Sequence, residues 1–333
     1  MQPLAKIPLI DLRGYTPLEL LFVHRARARA LADAATGMLG AATRAAARLL
    51  LPAADRASRR WLEKSKNPYA QEIGLIAEAI GVPGTYTLNI CMEWGCTTGG
   101  WQTDDGPLLR RVLDWPFPRL GELAVVARQA GKLGDFYNVT WPGFSGILQG
   151  MAPGRFAASV NLAPMRKRGT GLIGDWLLGR FNFPPALPAT HLLRRVLETA
   201  RDYAAAKSML SLTSLAAPAI FTLTGTRTGE ACVIERTEDA CAVRELSAGR
   251  VCAANHFVAF GEDGWRPRPI DSRGRYAQAL NIARDADGFS WFTPPIANVN
   301  ARLVMLANAA TRMLRIMGTA GAEPVTQVFE LPG

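Results

Sequence analysis

The residue that most invites a chemical reading is Cys96, in the run Trp94-Gly95-Cys96-Thr97-Thr98. A glycine before a cysteine at the head of a strand permits close backbone approach and unusual torsions. By itself such a cysteine is either a nucleophile or an ordinary core residue. Arg111 and Asp114 follow fifteen and eighteen residues later, in Leu109-Arg110-Arg111-Val112-Leu113-Asp114. A hairpin turning near 104–107 would bring both beside Cys96. A Cys96–His256 dyad is the competing arrangement, but it leaves Arg111 and Asp114 unexplained. His256 is expected to pack or bond locally at a strand end, and His24 and His191 to be structural helix residues. No cysteine pair has CxxC spacing and only three histidines are present, so no metal centre is expected.

The elements that must position these residues fall into blocks. Residues 17–66 are rich in Ala, Leu and Arg and begin at Thr16-Pro17, a helix cap with proline in the first turn. Gly37, Gly40 and Pro52 are expected to break this stretch into two or three helices, with another at 68–80 closed by Gly81. Short strands are expected at 85–91, 96–103 and 108–114, the last two joined by the Asp105-Gly106 turn. Further strands are expected at 124–128, 136–140, 146–151 and 156–162. Helices return at 171–180 and 189–211, strands at 219–225, 230–236, 240–245 and 251–254, a helix at 271–284 and a strand pair at 301–330. This order predicts a layered α+β protein with antiparallel sheets, not alternating βαβ units.

Composition bounds the function classes. The chain has 333 residues, 49% of them hydrophobic, which excludes disorder. Charged residues interrupt every apolar run before it reaches membrane-spanning length. The net charge of +10 suits anionic partners. The i,i+4 pairs Arg25/Arg29, Arg44/Arg48 and Arg56/Arg60 make an anionic lipid surface one candidate, against a simple solvated basic face. No nucleic-acid signature accompanies the charge, so no nucleic-acid partner is expected. The N-terminus does not read as a signal peptide, so a cytoplasmic location is expected and the five cysteines are expected to be thiols. A Cys232–Cys241 or Cys232–Cys252 bridge between neighbouring strands is the alternative.

The whole pattern resembles the N-terminal-nucleophile (Ntn) cysteine amidases of the cholylglycine hydrolase superfamily, especially the acid ceramidase and N-acylethanolamine acid amidase branch. The matching residues are Cys96-Thr97-Thr98, Arg111-Val112-Leu113-Asp114, the Gly-rich 150–154, Ser159-Val160-Asn161, His191–Ser208, Ala254-Asn255-His256-Phe257 and Asp271-Ser272-Arg273. The likeness runs from about residue 85 to 330. Val112 departs from it, standing where the family has Asn.

The resemblance implies a four-layer αββα Ntn-hydrolase sandwich preceded by an N-terminal helical segment. It implies residues 1–95 as a propeptide or small α subunit and 96–333 as the catalytic β subunit. The Gly95–Cys96 bond would be cut autocatalytically, freeing an α-amine whose ordinary pKa suits a general base. The Cys96 thiol would then form a thioester with a substrate acyl group. Arg111 would favour the thiolate, Asp114 would orient the new amine, and Asn255 would donate to the oxyanion. Asn161 would add a polar contact in the pocket. Arg273, or else Arg275, would hold the charged network. Trp115 and Trp141, with other aromatic residues near the motif, are candidates to line an acyl pocket. The implied substrate is a linear N-acyl amide of lipid type, with no cofactor and no metal, and the two fragments would stay associated after cleavage. A penicillin V or bile-salt-type acylase or acyltransferase of the same superfamily is the alternative enzyme. An unprocessed lipid-surface-binding protein is the alternative outside catalysis.

Overall fold

The structure is a computed structural model that describes residues 4–37, 41–90, 94–171, 175 and 184–331. The chain opens with a short strand, β1 (Leu9–Asp11), and then runs through helices α1 (Pro17–Val23), α2 (Arg25–Gly37), α3 (Ala41–Lys64), α4 (Ala70–Ile80) and α5 (Thr85–Asn89). Thr16 caps α1 in a capping box. Its hydroxyl accepts from Leu18 N–H, while Glu19 accepts from the Thr16 N–H at 2.7 Å. Gly81 closes α4 in the left-handed region at φ 67°, as its position after the helical stretch predicts. Pro52 lies inside α3 and does not end it.

The expected strand at 85–91 is instead the short helix α5. The Asp55 carboxylate of α3 accepts from Gly84 N–H at 2.6 Å and from Thr87 N–H at 2.9 Å, which winds this Thr/Tyr-rich stretch into a turn. Tertiary contact thus overrides the β preference of its residues.

From Gly95 the chain is largely strands. The hairpin β2 (Gly95–Thr103) and β3 (Gly106–Asp114) comes first, followed by α6 (Leu120–Leu123), β4 (Val125–Gly131), β5 (Gly134–Thr140), β6 (Gln149–Ala152), β7 (Phe156–Leu162) and β8 (Met165–Arg166). Residues 189–211, expected as one helix, form two: α7 (Ala189–Thr199) and α8 (Tyr203–Leu212), the second capped by Asp202. Strands β9 (Ala219–Thr224), β10 (Ala231–Arg236), β11 (Cys241–Glu245), β12 (Arg250–Ala253) and β13 (Trp265–Arg266) follow. Helix α9 (Ser272–Leu280) precedes β14 (Ala301–Asn308), β15 (Met313–Ala320), β16 (Glu323–Pro324) and β17 (Phe329–Glu330). The helix expected at 171–180 falls largely outside the described residues.

Two large sheets result. One has eight strands in the order β1-β4-β5-β6-β7-β9-β10-β11 and is antiparallel except where β1 runs parallel to β4. The other has seven, with β12-β2-β3-β14-β15-β16 in order and β17 paired to β15. The sheets face each other through β2, β3 and β14 on one side and β7, β9 and β10 on the other. Helices α7 and α8 cover the outer face of the first sheet, and α9 covers the second. This is an αββα sandwich. Its main apolar cluster joins Cys96, Leu109 and Leu113 to Met151, Val160, Phe221 and Leu193. A second cluster, with Trp101, Val112, Cys252 and Ala279, lies between the second sheet and α9. Cys232, Cys241 and Cys252 are free thiols, so neither candidate bridge forms.

The N-terminal segment is tied to this body by more than β1. Glu72 of α4 receives both guanidinium nitrogens of Arg194 on α7, at 2.6 and 2.9 Å. Tyr69 donates to Glu198 at 2.8 Å, and Asn67 meets buried His191 at 2.8 Å. Asn89 accepts from Ser145 N–H at 2.7 Å. Among the described residues no helix is long and apolar enough to cross a membrane.

Candidate active site

The β2–β3 register sets the site. Gly95 pairs with Asp114, Cys96 with Leu113 and Thr98 with Arg111. Side chains alternate along a strand, so Cys96, Arg111 and Leu113 point between the sheets. Asp114, Thr97 and Val112 point to the other side, toward α9. Val112 therefore sits in the second apolar cluster, away from the thiol. At this position a donor side chain would not reach Cys96.

Arg111 is fully buried, and its guanidinium is fixed at four points. Nη2 lies 3.0 Å from Cys96 Sγ and donates to Val160 O at 2.9 Å. Nη1 donates to Asn161 Oδ1 at 2.8 Å, and Nε to Gln149 Oε1 at 2.5 Å. Asn161 also donates to Ala254 O at 3.0 Å, so it orients Arg111 and ties the sheets together, where a substrate contact was expected. Gln149 was not foreseen. It immediately precedes the Gly-rich stretch, and only the sheet pairing reveals that it faces Arg111.

The backbone of Cys96 is held from the α9 side. Its N–H donates to Asn255 Oδ1 at 2.8 Å. Its carbonyl accepts from Arg275 Nη1 at 2.5 Å, and Arg275 also donates to Thr97 Oγ1 and to Asn255 Oδ1, each at 2.9 Å. Arg275 Nη1 lies 3.3 Å from Asp114 Oδ2. Arg275 is the buried cation of this network. Arg273, the first choice from sequence, has a side chain 70% exposed and pairs with Glu262. Two residues apart on a helix lie on different faces, which decides between them. Asn255 is oriented in turn. Its N–H donates to Ser272 Oγ and its Nδ2 to Leu162 O, both at 2.8 Å. His256 Nδ1 shares the same Ser272 hydroxyl at 2.8 Å, so His256 bonds locally and is not paired with Cys96.

Burial pushes the Cys96 thiol up to about 12, with the Arg111 guanidinium pulling against it. In the uncut chain the thiol is thus protonated at neutral pH. Burial likewise raises the Asp114 carboxyl, opposed chiefly by Arg275. A cleft of about 970 Å³ opens against Gly95 and Asp114, lined also by Trp94, Pro116, Leu162, Met165 and residues of 266–273. Gly95 is tightly placed, since a Cβ there would stand 3.1 Å from Asp114 Cβ. Trp115 and Trp141 are in the core. Trp115 packs between Trp94 and Trp141, and neither Trp115 nor Trp141 belongs to the cleft wall. Among the described residues no cluster of His, Cys, Asp or Glu could hold a metal ion.

Two facing antiparallel sheets between helix layers, with a cysteine at the head of a central strand, define an Ntn-hydrolase fold. Comparison with known proteins agrees, although no family model matches the chain. The chain is 33% identical over 160 residues to acid ceramidase of Heterocephalus glaber, covering 47% of this chain and 39% of that protein. It is 36% identical over 140 residues to the acid ceramidase of Homo sapiens, covering 41% and 34%. The match thus spans well under half the length of these relatives. The Caenorhabditis elegans ortholog of N-acylethanolamine-hydrolyzing acid amidase shares the fold, with a TM-score of 0.52 at 18% identity over 71% of this chain and all of that one. The chain thus has an Ntn-hydrolase fold, and over part of its length its sequence is similar to the acid ceramidases, as its motifs suggested.

Proposed function

We propose that the protein is a cysteine amidohydrolase that frees its own nucleophile and cleaves N-acyl amides of lipid type. The observation that carries this is the double hold on Cys96. Arg111 lies 3.0 Å from the sulfur on one side of β2, while Asn255 and Arg275 grip the backbone N–H and C=O on the other.

In the first event the Cys96 sulfur attacks the Gly95 carbonyl. The C–S bond forms, the C–N bond breaks, and the thiol proton passes to the leaving nitrogen. Water then cleaves the thioester, leaving a Gly95 carboxylate and an α-amine on Cys96. Asp114, paired in register with Gly95, stands where it would accept hydrogen bonds from that amine.

In turnover the amine takes the thiol proton and Arg111 stabilises the thiolate that attacks the substrate carbonyl. Asn255 Nδ2 has a second hydrogen beyond the one given to Leu162, which is available to the oxyanion. The substrate amine leaves with the proton, and water releases the acid from the thioester.

Residues 1–95 act as the propeptide or small subunit and 96–333 as the catalytic subunit in this reading. The parallel β1–β4 pairing and the Glu72–Arg194 bridge support continued association after cleavage. Exposed Phe22 and Val23 beside exposed Arg25 and Arg29 support contact with an anionic lipid surface. The apolar part of the cleft, with Trp94, Pro116, Leu162 and Met165, supports an acyl chain as ligand. The test is hydrolysis of a long-chain N-acyl ethanolamide by the wild-type protein and by Cys96→Ala. Turnover is expected in the first alone, and equal turnover in both would overturn the reading.

A further inference from the structure

Glu235 of β10 is wholly buried although it carries a carboxylate. Strand alternation puts it on the same face as Ala231 and Val233, which pack with Val251 and Ala253 of β12 and with Phe257. In such apolar surroundings a carboxylate is stable only with directed donors, and Glu235 has four. Arg244 of the neighbouring strand β11 donates from Nε to Oε1 at 3.0 Å. Three consecutive backbone N–H groups complete the set. Val258 donates to Oε1 at 3.0 Å, Ala259 to Oε2 at 2.9 Å and Phe260 to Oε2 at 3.3 Å.

This ion pair grips the chain on both sides of Asn255. Upstream, Arg244 Nη2 donates to Cys252 O on β12 at 2.8 Å. Downstream, Glu235 gathers the N–H groups of 258–260. Residues 253–257 lie between the two anchors, and Asn255 is the middle one. The anchors belong to the eight-stranded sheet, whereas β12, which leads into Asn255, belongs to the seven-stranded one. The pair therefore sets how the two sheets meet at this edge of the site. Phe257 is also wedged against Phe260 and Trp265, with ring centroids 5.3 and 4.9 Å away. Asn255 has to accept from Cys96 N–H and keep an Nδ2 hydrogen aimed at the reacting carbonyl, so a small shift of its backbone would spoil both tasks.

Resting on the amidase reading, we propose that Glu235 and Arg244 are positioning residues for Asn255. They touch no reacting atom. They hold segment 253–257 in the place from which the Asn255 amide serves Cys96 and the oxyanion.

Three variants test this. Glu235→Gln keeps the shape but turns one acceptor oxygen into an NH2 group facing N–H donors. Glu235→Asp keeps the charge on a shorter stem. Arg244→Gln removes the upstream grip at a side chain 18% exposed, with less disturbance of the core. kcat and KM for dodecanoyl ethanolamide are measured per chain beginning at Cys96, well below each variant's melting temperature. Glu235→Gln and Arg244→Gln are expected to lower kcat about tenfold with KM within about twofold of wild type, and Glu235→Asp to lose less. Self-cleavage should slow in the same order, because Asn255 also holds the Cys96 N–H. A pair that only stabilises the fold would lower the melting temperature and leave kcat per processed chain unchanged. That outcome in whichever variants fold, or a rise in KM alone, would overturn the proposal and leave the amidase reading standing. A wild-type chain cut at Cys96 that hydrolyses no N-acyl amide would overturn both.

Discussion

Arg111 Nη2 lies 3.0 Å from Cys96 Sγ, although the two residues are not register partners in the β2–β3 hairpin. They meet because each points between the sheets and the long arginine side chain reaches along the strand toward the thiol. Gln149, Asn161 and Val160 O hold the guanidinium there. A lysine keeps the charge but cannot keep four directed contacts. Arg111→Lys is expected to lower kcat by about a hundredfold, equivalent to about 2.7 kcal/mol in barrier, and Arg111→Ala by at least as much. Single-turnover rates on processed protein check this.

Arg275 should matter for both folding and cleavage. It is fully buried and serves Cys96 O, Thr97, Asn255 and Asp114 at once. Arg275→Ala leaves a buried carboxylate without its cation, a change that costs about 3–5 kcal/mol in such sites. A lowered melting temperature and accumulation of uncut chain are expected. Arg275→Lys should recover part of the stability and less of the cleavage, as thermal unfolding and gel analysis of the same samples would show.

How much of this was legible beforehand depended on the range of the contact. The hairpin was readable because Asp105-Gly106 marks a turn, and Gly106 does adopt φ 101°. The placement of Arg111 and Asp114 on the strand beside that of Cys96 follows from that hairpin, while the roles assigned to the three rested on the family resemblance. The choice of Arg275 over Arg273 needed the phase of α9 against β2, which motif spacing does not carry. Asn161 was recognised as a site residue, but its role as a clamp on Arg111 depends on strand β7 facing β3. Trp115 and Trp141 were misplaced because an aromatic residue near a motif in sequence packs equally well into a wall or a core. The segment 85–91 misled because Asp55, thirty residues earlier, supplies the contacts that wind α5.

Gly95 is constrained by space. A methyl group there would press on Asp114 Cβ, a backbone-proximal atom that cannot swing away. Gly95→Ala is expected to slow self-cleavage about tenfold or more, since small misplacements of reacting groups carry large rate costs. A time course of precursor loss after synthesis measures it, and an unchanged half-time would count against the geometry.

His191 gives the fold an acid-sensitive joint. Burial holds its imidazole down to about 3, and it faces Asn67 of the N-terminal segment. The folded value lies below the unfolded one of 6.5, so above that pH neither state is charged and stability is complete. As pH falls from 6.5 toward 3 the unfolded chain takes up a proton that the fold refuses. Stability is lost across that window, by an amount on the order of 4–5 kcal/mol at most. Urea unfolding at pH 7 and pH 4 should show a smaller difference for His191→Gln than for the wild type.

Acyl length should govern specificity. Each buried methylene contributes about 0.8 kcal/mol. If a third of the eight extra methylenes of a dodecanoyl amide over a butanoyl one are buried, the gain is roughly 2 kcal/mol, or about thirtyfold in kcat/KM. A fluorogenic series below micelle-forming concentration reads this directly. A flat profile, or preference for phenoxyacetyl or cholyl amides, would move the substrate to the acylase alternative while leaving the Cys96 chemistry in place.

The central claim is that Cys96 becomes an N-terminus. Intact mass of the purified protein under denaturing conditions tests it most directly, with N-terminal sequencing of each component. The full chain has a mass of 36.0 kDa. Two fragments are expected from the wild type, the larger beginning at Cys96, and a single uncut chain from Cys96→Ala. An undivided wild-type chain that nonetheless hydrolyses N-acyl amides would contradict the account.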